Sequence, residues 1–259
     1  MSYRIGIPTL LELNTIESTV ELCNELNLKM IEISMTRPEF FPISLSPDKL
    51  INYSEKYGIE FSLHLPEEID LATFHEPIRE AYVNLILEML TWANNSNIKI
   101  VNMHLSNGIY YTMPQGKIWL YDVYKDKFKS NILDSLNRII QKSIKYDIKI
   151  CIENCSNFNL SFIREIVDIS QGTYLTWDVG HDAATGYKET EVILNHKNRI
   201  AHMHLHDNID NIPHKELYTG DVKIDEMIKF AKSKDIGVIV EVKTVESLRK
   251  SILKLFSRI

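Results

Sequence analysis

Three histidines fall within five residues: His202, His204 and His206 alternate with Ala201, Met203 and Leu205, and Asp207 follows at once. In an extended strand, alternate side chains share a face. The three imidazoles therefore stand on one face and the three apolar side chains on the other. Imidazole both titrates near neutrality and binds metals readily, and this stretch uses three of the chain's nine histidines. A surface strand would rarely spend them so. A strand packed on helices by one face, with the other lining a polar, metal-capable interior, explains them better.

The same alternation recurs along the chain. Glu32 lies between Ile31 and Ile33, His64 between Leu63 and Leu65, and Asn102 and His104 among Val101, Met103 and Leu105. Glu153 follows Ile150 and Ile152, Asp178 follows Leu175 and Trp177, and Glu241 and Lys243 alternate with Val238, Val240 and Val242. A single His or Asn alone reads as a hydrogen-bonded core residue, whereas a single inward Glu is less easily explained that way. As a set they aim a Glu, His or Asp from seven strands into one mouth. Buried carboxylates are costly unless paired or metal-bound, so Glu32, Glu153, Asp178 and Glu241 would repel severely there without a cation. Carboxylates with imidazole suit a borderline or hard divalent ion such as Mn2+, Mg2+, Co2+ or Zn2+. Cys151 shares the inward parity one layer below Glu153 and reads as a small core residue, while Cys155 lies past the strand end.

The elements that must position these groups are short apolar runs at 3–8, 29–34, 60–65, 99–105, 149–153, 173–178, 200–206 and 238–242. They alternate with helical patterns near 15–27, 47–57, 75–95, 125–146, 159–170, 189–196, 223–234 and 244–257. Asn14 or Thr15 can cap the first helix, and Ser46-Pro47 opens the second. Gly58 and Gly237 fall where a helix would stop before the next strand. Strands alternating with helices mark parallel βαβ units. In one domain spanning 1–259 the expected outcome is a closed (β/α)8 TIM barrel, whose active site gathers at the C-terminal strand ends. An open doubly wound sheet would carry a glycine-rich turn after its first strand, and Pro8-Thr9-Leu10-Leu11-Glu12 has none.

Composition narrows the function classes. The chain is 44% apolar and 25% charged, ordinary for a globular protein, and no apolar run reaches the roughly 20 residues that span a bilayer. A formal charge of −6 argues against a phosphodiester partner. Cys23, Cys151 and Cys155 form neither an even framework nor a CxxC pair, so a reducing, cytoplasmic setting is expected.

Leu63-His64, Met103-His104, Ile152-Glu153-Asn154, Asp178-Val179-Gly180-His181, His202-Met203-His204-Leu205-His206-Asp207 and Val240-Glu241-Val242, in this order, resemble the motifs of the xylose-isomerase-like TIM barrels. That superfamily holds sugar isomerases, sugar epimerases and endonuclease IV, and the resemblance covers essentially the whole chain. It implies one divalent ion, Mn2+ first and otherwise Zn2+, Co2+ or Mg2+, held by Glu153, Asp178, His204 and Glu241. Glu153 and Glu241 would also be the catalytic pair, flanking a sugar carbon that loses and regains a proton. His181 would bind a substrate oxygen, and His64 and His104 would line the pocket. The endonuclease branch, which holds three zinc ions and acts on abasic DNA, expects an Asp-x-His pair after strand seven. Here His214 is present, but Ile212 stands two before it and Tyr218 replaces a frequent glycine. No arginine follows strand seven where several epimerases use one for substrate. A barrel that binds a metabolite without turnover is the remaining alternative.

Further groups fill out the expected pocket. Lys243 would neutralise the carboxylates or meet a substrate phosphate, and His214 would reach substrate. The segment 106–128 after strand four carries Tyr110, Tyr111, Trp119, Tyr121 and Tyr124. Aromatic faces there would close over a sugar as a lid or form a contact between copies in a homo-oligomer. Phe40-Phe41-Pro42 would add a second apolar wall or an interface element.

Overall fold

The computed structural model describes residues 4–258. Eight parallel strands close into a barrel in chain order: β1 (Ile5–Pro8), β2 (Met30–Ser34), β3 (Glu60–His64), β4 (Ile100–His104), β7 (Lys149–Glu153), β8 (Tyr174–Asp178), β9 (Ile200–Leu205) and β12 (Gly237–Val240). Outside the barrel run α1 (Ile16–Glu25), α2 (Pro47–Tyr57), α3 (Glu76–Asn95), α5 (Lys125–Lys145), α6 (Ser161–Ile169), α8 (Thr190–Asn195), α9 (Ile224–Lys234) and α10 (Val245–Phe256). The expected (β/α)8 architecture is therefore present. Tyr3, placed in the first strand from the sequence, lies outside the described residues.

Local signals explain several boundaries. Thr15 caps α1 by accepting the Ser18 N–H, and Ser46 caps α2 by accepting the Lys49 N–H, with Pro47 at the first helical position. Gly58 ends α2 in the left-handed region. Gly237 does not do the same for α9. Asp235 takes the left-handed stop, and Gly237 opens β12 inside the barrel, where a Cβ would come 2.3 Å from Met30 Sδ. β12 also ends at Val240, earlier than its apolar alternation suggested, although the Glu241 N–H still donates to Leu205 O at 3.0 Å.

The outward faces of the strands meet the helices in a continuous apolar shell that includes Ile31, Leu63, Val101, Ile152, Leu175, Met203 and Val240. The inward faces are different. Where many barrels stack Val, Ile and Leu inside, this one buries Glu32, Ser62, Asn102, Thr176 and His202, all at most 2% exposed. That polar layer lies beneath the C-terminal mouth.

Three insertions dress that mouth. A hairpin, β5 (Tyr110–Met113) and β6 (Gly116–Trp119), and α4 (Leu120–Val123) follow β4; α7 (Val179–Ala184) follows β8; a second hairpin, β10 (Asp207–Ile209) and β11 (Ile212–Lys215), follows β9. The aromatic segment divides by role. Tyr121 is buried against Phe74, Phe128 and Phe162 and donates its hydroxyl to Asp70, whereas Tyr110, Tyr111 and Tyr124 stay exposed. Phe40 is a core residue rather than a pocket wall, with the Arg37 guanidinium 4.8 Å above its ring.

Candidate active and metal site

Four strand ends bring four donors together. Glu153 closes β7, Asp178 closes β8, His204 lies near the end of β9, and Glu241 follows β12 by one residue. One ligand atom from each lies within 4.8 Å of every other. His204 is at the centre: its Nδ1 is 3.1 Å from Glu153 Oε1, 3.1 Å from Glu241 Oε2 and 3.9 Å from Asp178 Oδ2. Glu153, Asp178 and His204 are buried, while the Glu241 side chain keeps 17% exposure and marks the open side.

The electrostatics of this knot are severe. Burial works to raise the Glu153 and Glu241 carboxyls, but the His204 imidazole outweighs it, and both are held well below the usual carboxylate range. Burial works to lower His204, and Glu153 and Glu32 reverse that, holding its imidazole well above its ordinary value. Three carboxylates facing one imidazole leave net negative charge in a dry place. A divalent ion would offset that charge, and the donor set of three carboxylate oxygens and one imidazole nitrogen fits one.

Each member has its own support. The Asn102 amide donates to Glu153 Oε2, and the Nε2 atoms of His64 and His104 each lie 3.4 Å from the same oxygen. The two rings meet edge to face at 4.8 Å. Burial would lower His64, but the hydrogen bond to Glu153 raises it to about 9. Asp178 caps α7 by accepting the His181 N–H at 2.7 Å, and its other contacts include His206 Nε2, 3.0 Å from Oδ1. Gly180 is required for that approach: a Cβ there would come within 1.9 Å of the His206 ring.

His206 and His214 form the rim of the second hairpin. The His214 N–H donates to His206 Nδ1 at 2.8 Å, so both nitrogens of His206 are engaged, one by Asp178 and one by the hairpin backbone. His214 Nδ1 lies 3.1 Å from the Glu241 carbonyl, with its backbone in the left-handed region. The His181, His206 and His214 ligand atoms also cluster, as do those of His64, His104 and Glu153. Burial lowers His214 to about 4.

Not every inward residue reaches the mouth. Glu32 and His202 sit one layer below it and pair with each other, Nε2 to Oε2 at 2.9 Å; Glu32 Oε1 also lies 2.7 Å from His204 Nε2, so these three form a further cluster of ligand atoms that shares His204 with the four-residue knot. Lys243 points toward solvent, with 58% of its side chain exposed and Nζ 2.6 Å from Glu241 Oε1. Cys151 is buried beneath the site, where burial pushes its thiol up to about 12.

Two residues carry more of the architecture than their sequence context revealed. Asn154 binds both backbone groups of Asp178. Asp207 accepts four backbone N–H groups, from Asn208, Thr219, Gly220 and Val222, and so folds the loop that follows the hairpin. Their sequence signal was only adjacency to Glu153 and His206. A cavity of about 290 Å³ opens beside Glu241, bounded by His64, Lys243, Glu67 and Thr9. A larger cleft of about 990 Å³ lies at the opposite, N-terminal mouth, among Arg4, Lys99 and Lys234, and touches none of the four converging residues.

A sequence profile described as the xylose isomerase-like TIM barrel matches residues 20–256. The chain belongs to that family. It is 25% identical over 257 residues to an uncharacterised protein of Methanocaldococcus jannaschii, covering 96% of this chain and 94% of the other. Among solved structures it is similar to a D-tagatose 3-epimerase-like protein, with TM-score 0.78, 25% identity and coverage of 98% and 97%. A sugar phosphate isomerase/epimerase from Parabacteroides distasonis superposes with TM-score 0.74 at 15% identity, covering 98% and 94%. The 3-keto-D-glucoside 4-epimerase YcjR of E. coli superposes over both full chains with TM-score 0.72 at 12% identity.

Proposed function

We propose that this barrel is a divalent-metal-dependent sugar isomerase or epimerase that moves a proton at the carbon next to a carbonyl. In this reading Glu153, Asp178, His204 and Glu241 hold one ion, and Glu153 and Glu241 transfer the proton. The observation that carries it is the pair of glutamates from β7 and the end of β12, each 3.1 Å from the same His204 nitrogen at the floor of an open mouth. The D-tagatose 3-epimerase-like structure, 25% identical to this chain, supports the same reading.

When bound, the ion would supply Lewis-acid stabilisation of the negative charge that builds on the sugar oxygens. The protein's groups do the rest. Both glutamates are kept as carboxylates by His204, so either can accept the carbon-bound proton. If the accepting carboxyl returns the proton to the neighbouring carbon, and the hydroxyl proton passes to the former carbonyl oxygen, the product is an isomer. If the glutamate on the other side of the sugar delivers one, the carbon inverts. That second route needs a proton on the delivering glutamate, and Lys243, 2.6 Å from Glu241, is its nearest ammonium. His64 and His104, gathered on Glu153, and His181 above Asp178 are placed to hydrogen-bond sugar hydroxyls. The adjoining cavity of about 290 Å³ suits a monosaccharide.

An endonuclease-like reading asks for an Asp-x-His pair after strand seven, and Ile212 stands two residues before His214, so that pair lacks its carboxylate. The deciding experiment incubates the Mn2+-loaded protein with a panel of ketoses and aldoses in D2O. Deuterium should wash into the carbon beside the carbonyl of at least one sugar, and Glu153→Gln and Glu241→Gln should each slow it by about 10²-fold or more. No wash-in across the panel, or full exchange by both variants, would remove the proposal.

A further inference from the structure

Glu32 is the least expected charge in the molecule. It sits mid-strand in β2, 2% exposed, where barrels commonly place an aliphatic side chain. Among the described residues its ion-pair partners are histidines, with no lysine or arginine. Its Oε2 instead accepts the Ser62 hydroxyl at 3.2 Å and His202 Nε2 at 2.9 Å, and its Oε1 lies 2.7 Å from His204 Nε2, off the ideal hydrogen-bond direction. Two hydrogen bonds reach Oε2, and Oε1 faces His204 in close ion-pair contact.

The geometry at His204 gives that carboxylate a purpose. An imidazole has two nitrogens, and when one binds a metal the other carries the proton; an acceptor on the far side decides which is which. Here Glu32 faces Nε2 and the Glu153–Asp178–Glu241 group faces Nδ1. His202 completes the arrangement. Its Nε2 lies 2.9 Å from Glu32 Oε2, and its own Nδ1 has no protein partner among the described residues.

We propose that Glu32 is a positioning residue for the metal site: it keeps the proton of His204 on Nε2, fixes the ring, and presents Nδ1 as the ligand. The inference rests on the metal-dependent reading given above and deepens it. It also explains why a buried carboxylate is retained one layer below the mouth. A ligand histidine backed by a carboxylate is a stronger donor than one backed by an aliphatic side chain.

Two measurements test this. The first uses wild-type protein, ¹⁵N-labelled and loaded with Zn2+, and reads histidine tautomers by long-range ¹H–¹⁵N correlation. His204 should carry its proton on Nε2 with Nδ1 on the metal. The second measures Zn2+ affinity by chelator competition for wild type, Glu32→Gln and Thr176→Val. Thr176 shares the buried layer but makes no contact with Glu32 or His204 among the hydrogen bonds of the site. Glu32→Gln should bind about 10–100-fold more weakly, whereas Thr176→Val should match wild type. Unchanged affinity in Glu32→Gln, equal losses in both variants, or a proton found on His204 Nδ1 would overturn the positioning role while leaving the proposed activity standing. If Glu32→Gln does not fold, the tautomer of the wild type decides alone. Wild-type protein that binds no divalent ion would overturn the functional reading and this inference with it.

Discussion

Asn154 holds Asp178 by both ends of its backbone: Oδ1 accepts the Asp178 N–H at 2.7 Å, and Nδ2 donates to the Asp178 carbonyl at 2.9 Å. The end of β7 thereby sets the height of the carboxylate at the end of β8, and so the spacing between Glu153 and Asp178. Asn154→Ala would strand two buried backbone groups, which should cost about 2–3 kcal/mol. Metal affinity should fall as well, because Asp178 loses its fixed position. Urea denaturation of wild type and variant checks the first effect, and a difference under about 0.5 kcal/mol would show that the pair is dispensable.

Gly180 and His206 make a second such dependence, this time steric. A methyl group at 180 would overlap the His206 ring at 1.9 Å, so Gly180→Ala must push either α7 or the imidazole away. Overpacking of this kind costs about 1–3 kcal/mol. The displacement also releases the His206 contact with Asp178. The expected result is a less stable protein with weaker metal binding, read by denaturation and by chelator competition. Normal values for both would mean that the helix yields freely.

Much of this was legible from side-chain parity. Ile152-Glu153, Trp177-Asp178 and the alternation around His204 told which side chains face inward, because a strand has only two faces. Depth was not legible. Glu32 and Glu153 have the same parity, and the strand stagger of a closed barrel, invisible in any one strand's sequence, puts the first beneath the second. Asn154 and Asp207 were also hidden, since their partners are backbone groups of distant residues, Asp178 for one and Thr219 to Val222 for the other. The segment 106–128 is visibly long and aromatic, yet nothing in its composition separates the buried Tyr121 from the exposed Tyr110.

Glu189 should impose a pH dependence on stability. It is fully buried, its Oε2 accepts from the Asn154 amide at 3.1 Å, and burial pushes its carboxyl up from 4.5 to about 7. A raised carboxyl binds its proton more tightly in the folded state, so its contribution to stability falls as pH rises. The loss begins near 4.5, grows to about 7, and is complete above it, amounting to about 3 kcal/mol at 1.36 kcal/mol per pH unit. Glu189→Gln lacks this titration. Subtracting the variant's unfolding free energy from the wild type's at pH 4.5 and pH 8 should expose the difference; parallel curves would refute it.

Glu241 gives the metal-free site a distinctive signature. Without a cation, burial works to raise the Glu241 carboxyl but His204 holds it well below the usual range, so the ionised group favours the folded state and removing it should harm stability. Glu241→Gln also loses a Lys243 contact, but that ammonium is 58% exposed and the pair contributes little in water. Chelator-stripped Glu241→Gln should therefore melt below stripped wild type. Adding Mn2+ widens the gap. At one hundred times its dissociation constant a ligand stabilises the folded state by about 2.7 kcal/mol, which in a chain of this length raises Tm by about 5–10 °C. Wild type should show that rise, and Glu241→Gln much less of it at the same metal concentration. A variant that melts lower when stripped yet gains the full shift with Mn2+ would place Glu241 in the framework and not among the ligands.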